Sequence, residues 1–171
     1  MTTTTGGAAN VLSKLEDYLQ TEWPELDVYL TSVTDHFATI SVCGPNSKKI
    51  VSTVIDDLDF SDENFPHMTF KNAKIGKINC RVMRISFTGE LSYEINIQAN
   101  YAKSVWEKCM EAGKDFNITP YGTETMHLLR AEKGFIIVGQ DTDGTMTPVD
   151  LQMDWIAVSY THLTLPTTML E

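Results

Sequence analysis

The sequence predicts an α+β fold, an antiparallel or mixed sheet with helices packed on one face. Two patterns carry that prediction. Around residues 82–97, Val82, Arg84, Ser86 and Thr88 alternate with Met83, Ile85 and Phe87, and Leu91, Tyr93, Ile95 and Ile97 alternate with Ser92, Glu94, Asn96 and Gln98. A period of two is that of half-buried strands. Between such runs lie segments with helical spacing of apolar residues, at 10–23, 48–55, 101–112 and 123–133. The length of 171 residues is enough for one domain with a sizeable core.

Taken in order, Asn10 is a suitable N-cap for a helix whose apolar positions are Val11, Leu12, Leu15, Tyr18, Leu19 and Trp23, and Pro24 stops it. A strand is expected over Val28 to Thr34 and another over Phe37 to Val42, ending at Cys43-Gly44-Pro45. Asn46 or Ser47 caps a helix over Lys48 to Ile55, with Ile50, Val51, Val54 and Ile55 on one face. The acidic stretch Asp56 to Glu63 reads as a solvated loop, and Met68 to Ile75 and Gly76 to Thr88 as strands. Tyr101 to Ala112 is a helix with Val105, Trp106, Cys109 and Met110 inward and Gly113 as its C-cap. A further helix runs from about Thr123 to Lys133, stopped by Gly134, and Phe135 to Val138 is a short strand before a glycine-containing loop at 139–144.

Composition excludes several classes. Hydrophobic and charged fractions of 42% and 21% are those of a globular chain rather than a disordered one. A net charge of −10 provides no basic face for phosphates, so nucleic acid is not an expected partner. Cys43, Cys80 and Cys109 form no paired or zinc-type spacing, which fits reduced thiols and a cytoplasmic location. No apolar run approaches a membrane span. The four histidines are scattered without ligand spacing, so no metal is expected.

Thr88-Gly89-Glu90 forms the corner between the two central strand runs, where a glycine permits a tight connection. Alternation places Glu94 on the face opposite Tyr93 and Ile95, so it points to solvent or into a polar cleft. Arg130, beside Leu128 and Leu129, reads as one half of a structural ion pair, with Glu132 nearby. Asp141 and Asp143 lack the calcium-loop pattern and read as carboxylates that order their loop.

Arg84-x-x-Phe87-Thr88-Gly89-Glu90-x-x-x-Glu94 resembles the Arg-x-x-Tyr-Thr-Gly-Glu-x-Gly-x-Glu segment of the aminomethyltransferase family. That family includes glycine-cleavage T proteins, dimethylglycine dehydrogenases and the alpha subunits of heterotetrameric sarcosine oxidases. Gly44-Pro45, Leu129-Arg130-Ala131-Glu132-Lys133-Gly134 and Gly139-Gln140-Asp141-x-Asp143 with Thr147-Pro148 extend the resemblance over about Val28 to Trp155. Pro120-Tyr121-Gly122-Thr123-Glu124 and Gly139-Gln140-Asp141-Thr142-Asp143-Gly144 look most like the oxidase alpha subunits.

The resemblance implies a tetrahydrofolate site in which Glu94 holds the pterin ring, Phe87 packs near it and Gly89 admits close backbone approach. A carboxylate can accept two parallel hydrogen bonds from a pterin's amino group and ring N–H. Arg84, Tyr93 and Arg130 are further candidates. Phe87 stands where the family commonly has Tyr, Ser92 where it has Gly, and Met126 where it often has a folate-contacting Arg. The family's catalytic Asp has no counterpart here, so no catalytic residue is assigned.

The implied whole is an oxidase that demethylates sarcosine, with flavin and NAD held elsewhere and other subunits as partners. Its one-carbon unit would pass to folate as 5,10-methylenetetrahydrofolate with release of glycine. The alternatives are a T protein or stand-alone aminomethyltransferase, and a non-catalytic folate-binding or interaction module. Residues 1–157 are expected to be part of the folate-binding domain, a piece of a longer protein that is inactive alone. Residues 158–171 resemble nothing in the family and read as an artefactual tail.

Overall fold

A computed structural model describes residue 1 and residues 3–154. Its centre is a four-stranded, wholly antiparallel sheet of β1 (Phe37–Cys43), β2 (Thr69–Ile75), β3 (Ile78–Arg84) and β4 (Ser92–Gln98), in the order β1-β4-β3-β2. Of the two expected sheet types the antiparallel one is therefore realised. Register fixes the two faces, because in an antiparallel sheet directly paired residues point the same way. Ile40 pairs with Ile95, Val42 with Tyr93, Val82 with Ile95 and Cys80 with Ile97, and all of these are buried. Ser41 and Met83 both pair with Glu94, and Arg81 with Asn96, on the opposite face.

The apolar face is covered by α2 (Ser47–Val54) and α3 (Ala102–Ala112), which pack on β1 and β4 and on each other. Ile50, Val51, Val54 and Ile55 enter this core as the sequence indicates, joined by Val105 and Cys109. Trp106 stays 43% exposed, because it sits one residue round the helix from the inward Val105. Gly113 caps α3, and a Cβ there would lie 2.6 Å from Ile118 Cβ, so the glycine is required by the returning chain. α1 (Ala8–Thr21) and α4 (Thr123–Glu132) lie outside this layer.

Several expected elements differ. Residues 28–33 form no strand and Thr34–His36 is a 3-10 turn, since among the described residues no strand lies alongside to pair with the segment. Residues 135–138 likewise have no ladder partner and remain irregular despite their apolar run. β3 ends at Arg84 rather than Thr88, so β3 and β4 are joined by residues 85–91 and not by a tight corner. α1 begins at Ala8 after a 3-10 turn, with Gly7 rather than Asn10 at its N-cap. The 56–63 loop is not wholly solvated: Phe60, 5% exposed, packs with Phe65 and Tyr93. The expected tail 158–171 and Trp155 lie outside the described residues.

Candidate functional site

The sheet face away from α2 and α3 is polar, because β1 and β4 alternate. Glu94 stands near its centre, half-buried, with no hydrogen bond or ion pair to its carboxylate among the described residues. Burial raises its pKa above the ordinary carboxylate value. On the β1 side it faces Ser41, whose Oγ lies 3.3 Å from Ser92 Oγ; on the β3 side it faces Met83. Asn96 Nδ2 donates to Thr39 Oγ1 at 2.9 Å and fixes the next rung.

Glu94, Asn96, Thr39 and Met83 line a cleft of about 1960 Å³. Its far wall is made by Val11, Leu12 and Leu15 of α1 and by residues 29–34. A second cavity of about 420 Å³ runs along β1 between Thr39, Ser41 and Cys43 and the apolar side chains of Trp106, Phe116 and Ile118. Tyr121 and Met126 also line it, and the Tyr121 hydroxyl lies 3.4 Å from Ser41 Oγ.

The 85–91 connection is held at both ends. Gly44 N–H and Ser47 Oγ both donate to the Leu91 carbonyl, at 2.8 and 2.9 Å, which anchors the connection to the start of α2. Gly89 has φ +79°, and a Cβ there would lie 2.6 Å from Lys133 Cγ. Lys133 in turn pairs with Glu90 at 2.9 Å. The close approach at Gly89 is thus made by a side chain of this protein, just beyond α4. Phe87 is 40% exposed and its ring lies 6.3 Å from that of His127 on α4. It lines neither the large cleft that contains Glu94 nor the smaller cavity along β1.

Three other candidates are placed elsewhere. Tyr93 is fully buried on the apolar face, among Phe60 and Phe65, and cannot share a ligand with Glu94 across the sheet. Arg84 donates through Nη1 to the Phe65 carbonyl at 2.7 Å and pairs with Asp62 at 2.8 Å, tying the 56–68 loop to the sheet. Arg130, 8% exposed, donates through Nη1 to the Phe135 carbonyl at 3.0 Å and forms a two-point pair with Asp141. The ion pair expected for Arg130 exists, with Asp141 rather than Glu132 as partner. The Arg130 guanidinium and the Ile137 N–H hold Asp141 below the usual carboxylate range, and Asp143 accepts from Thr145. Both carboxylates order their loop, and no cluster of metal-ligating side chains occurs among the described residues.

Sequence reading missed Ser41, Thr39 and Tyr121. For the first two the signal was present, since alternation along Phe37 to Cys43 opposes them to Ile40 and Val42. For Tyr121 there was none, because it reaches β1 from 80 residues away in the chain.

An antiparallel sheet with helices on its apolar face is the α+β architecture that the comparisons with known proteins share. Residues 1–160 match the family model described as GCVT N-terminal domain, and the chain belongs to that family. It is 58% identical over 157 residues to sarcosine oxidase subunit alpha of Corynebacterium sp. strain P-1, covering 91% of this chain and 16% of that protein. The same subunit of Rhizobium meliloti is 42% identical over 153 residues, 88% of this chain and 15% of the relative. An aminomethyltransferase of Halothermothrix orenii is 36% identical over 126 residues, 71% of this chain and 33% of its own length. The chain thus spans about a sixth of the oxidase subunits it matches. A solved heterotetrameric sarcosine oxidase from Corynebacterium sp. U-96, in complex with pyrrole 2-carboxylate, superposes with a TM-score of 0.52 at 16% identity. That match covers 64% of this chain and 54% of the other, and shows a shared fold.

Proposed function

We propose that this chain is the folate-binding part of a sarcosine-oxidase-type alpha subunit, working on a one-carbon unit derived from a small amine. The observation that carries the reading is Glu94: a desolvated carboxylate, unpaired among the described residues, on the floor of a cleft large enough for a pteridine. Leaving such a group without donors is costly, and a ligand with two adjacent N–H groups removes that cost. The residues present fit that ligand. Glu94 would accept from its amino group and ring N–H, Met83 would pack on its edge, and Phe87, 40% exposed on the 85–91 connection, would offer a ring face from outside the cleft's lining. Gly89 would act at one remove, by letting Lys133 hold the 85–91 connection.

Tetrahydrofolate, when bound, would supply the nitrogens that take the one-carbon unit of the imine formed by sarcosine oxidation at a flavin elsewhere in the complete protein, giving 5,10-methylenetetrahydrofolate and releasing glycine. The chain's own residues bind and orient it and keep water from one side of the site. Flavin and NAD chemistry, the other oxidase subunits and a cytoplasmic setting belong to the complete protein in this reading. The higher identity to oxidase alpha subunits, 58% against 36%, favours this reading over a stand-alone aminomethyltransferase.

The test is Glu94→Ala in the complete protein, with affinity for 5-formyltetrahydrofolate read by calorimetry. Charge-assisted hydrogen bonds contribute about 1.5–3 kcal/mol each, so a loss of at least about tenfold is expected. Unchanged affinity overturns the reading.

A further inference from the structure

Glu94 is not the only group on the polar face with hydrogen-bonding capacity to spare. Ser41 stands directly opposite it in the β1–β4 register, which puts their side chains roughly 5 Å apart. The Tyr121 hydroxyl reaches Ser41 Oγ only at 3.4 Å, and Ser41 reaches Ser92 Oγ only at 3.3 Å. Hydroxyl pairs that are fully engaged sit at about 2.7–2.8 Å. Ser92 is 3% exposed, whereas Ser41 and Tyr121 are half-buried on the wall of the smaller cavity, where a ligand group can take the place of water as their partner.

The other flank of Glu94 is different. Met83 faces it from β3, and Ile85 follows in the same cleft, neither offering a side-chain donor. Thr39 lines both the large cleft and the smaller cavity that contains Tyr121, so the two spaces adjoin at β1. The floor therefore offers, in sequence, a thioether and alkyl flank, an acceptor carboxylate, and a row of loosely engaged hydroxyls.

We infer that the Tyr121 hydroxyl, positioned by Ser41, is a second polar contact of this ligand site. Its single proton, directed at Ser41 Oγ at 3.4 Å in the free protein, turns to an acceptor atom lying beside the N–H pair that Glu94 reads. The inference rests on the folate reading of Glu94 and deepens it. A 2-amino-4-oxo heterocycle carries that pattern along one edge: two N–H donors, then a carbonyl oxygen. Directly beside Glu94 the β1 neighbour Ser41 brings a hydroxyl and the β3 neighbour Met83 brings no donor, while Arg81, one rung along β3, is turned toward β2, with Nε on Asn72 Oδ1 and its guanidinium over the Phe70 ring, so the carbonyl side of the ring turns toward β1. Burial raises the pKa of Tyr121, which keeps the hydroxyl protonated and able to donate at neutral pH.

The experiment compares pterin with 4-thiopterin, which keeps both N–H donors but replaces the carbonyl oxygen by a much weaker acceptor. Affinities are measured by calorimetry on the complete protein, in wild type, Tyr121→Phe and Glu94→Gln. Circular dichroism confirms that each variant is folded. The expected result is a wild-type preference for pterin of about three- to tenfold, as one neutral hydrogen bond provides, falling to within about twofold in Tyr121→Phe. A preference that survives in Tyr121→Phe overturns the inference, as does a loss of affinity for both ligands alike, which would mark a structural role. If Tyr121→Phe changes nothing while Glu94→Gln abolishes binding, this contact fails and the folate reading stands. If wild type binds neither pterin nor 5-formyltetrahydrofolate, both fail.

Discussion

Tyr93→Phe separates the two faces of the sheet more sharply than any other single change. The Tyr93 ring is fully buried between Phe60 and Phe65, with centroids 5.4 and 5.9 Å away, and its hydroxyl has no hydrogen-bond partner among the described residues. A buried hydroxyl left unsatisfied costs about 1–3 kcal/mol, whereas the ring contributes packing that phenylalanine keeps. Deleting the oxygen should therefore stabilise the protein by roughly 1 kcal/mol, a rise in Tm of about 2–4 °C for a chain of this size. The small void left behind offsets part of the gain. Thermal unfolding followed by circular dichroism reads this, and calorimetry with 5-formyltetrahydrofolate on the same variant reads the other face. Affinity should be unchanged, because Tyr93 and Glu94 point to opposite sides of β4. A loss of more than about 1 kcal/mol would show that the hydroxyl has a partner after all, and a loss of affinity would show that the ligand reaches the apolar face. Either result refutes the assignment of faces.

Gly89→Ala should cost roughly 2–4 kcal/mol in denaturant unfolding, combining the left-handed backbone with the overlap against Lys133. Lys133→Gly in the same chain should recover part of that beyond additivity, since it removes the atoms that clash. Asp141→Asn should raise amide exchange at Ile137, whose N–H donates to Asp141 at 2.8 Å, and should leave the buried Arg130 short of its counter-charge. The folded-state pKa of Asp141 is depressed, so its contribution is present above the ordinary value near 3.8 and is lost as pH falls through the folded value. Ile137 exchange in wild type should approach that of the variant only in that acidic range.

Much of this architecture was legible because local chemistry and tertiary demand coincide. The strand pattern at 37–42 and the helical spacings at 48–55 and 101–112 bury most of the residues that the periodicity selects, apart from the exposed Trp106 and the half-buried Met110. The misreadings share one cause: a strand needs a partner, and sequence pattern does not show whether one exists. Residues 28–33 and 135–138 have strand-like composition but pair with no strand among the described residues. The position of Glu94 was legible from alternation alone. The placements of Arg84, Tyr93 and Arg130 were not, since each is settled by a distant partner or face: Asp62 and Phe65 for Arg84, Phe60 for Tyr93, Asp141 for Arg130. Tyr121 illustrates the same limit from the other side, as a site neighbour joined to β1 only by the fold.

The central claim is that the Glu94 carboxylate receives the ligand's N–H donors. In the free protein burial holds its pKa above the ordinary value, so near pH 5 a fraction of it is protonated. Donors arriving at the carboxylate favour the charged form and push the pKa down, so binding must release protons from this group. The most direct measurement is calorimetry of 5-formyltetrahydrofolate binding near pH 5, in buffers of different ionisation enthalpy, for wild type and Glu94→Gln. The expected result is more protons released by wild type than by the variant. Equal proton release in the two proteins, with ligand bound in both, would contradict the account.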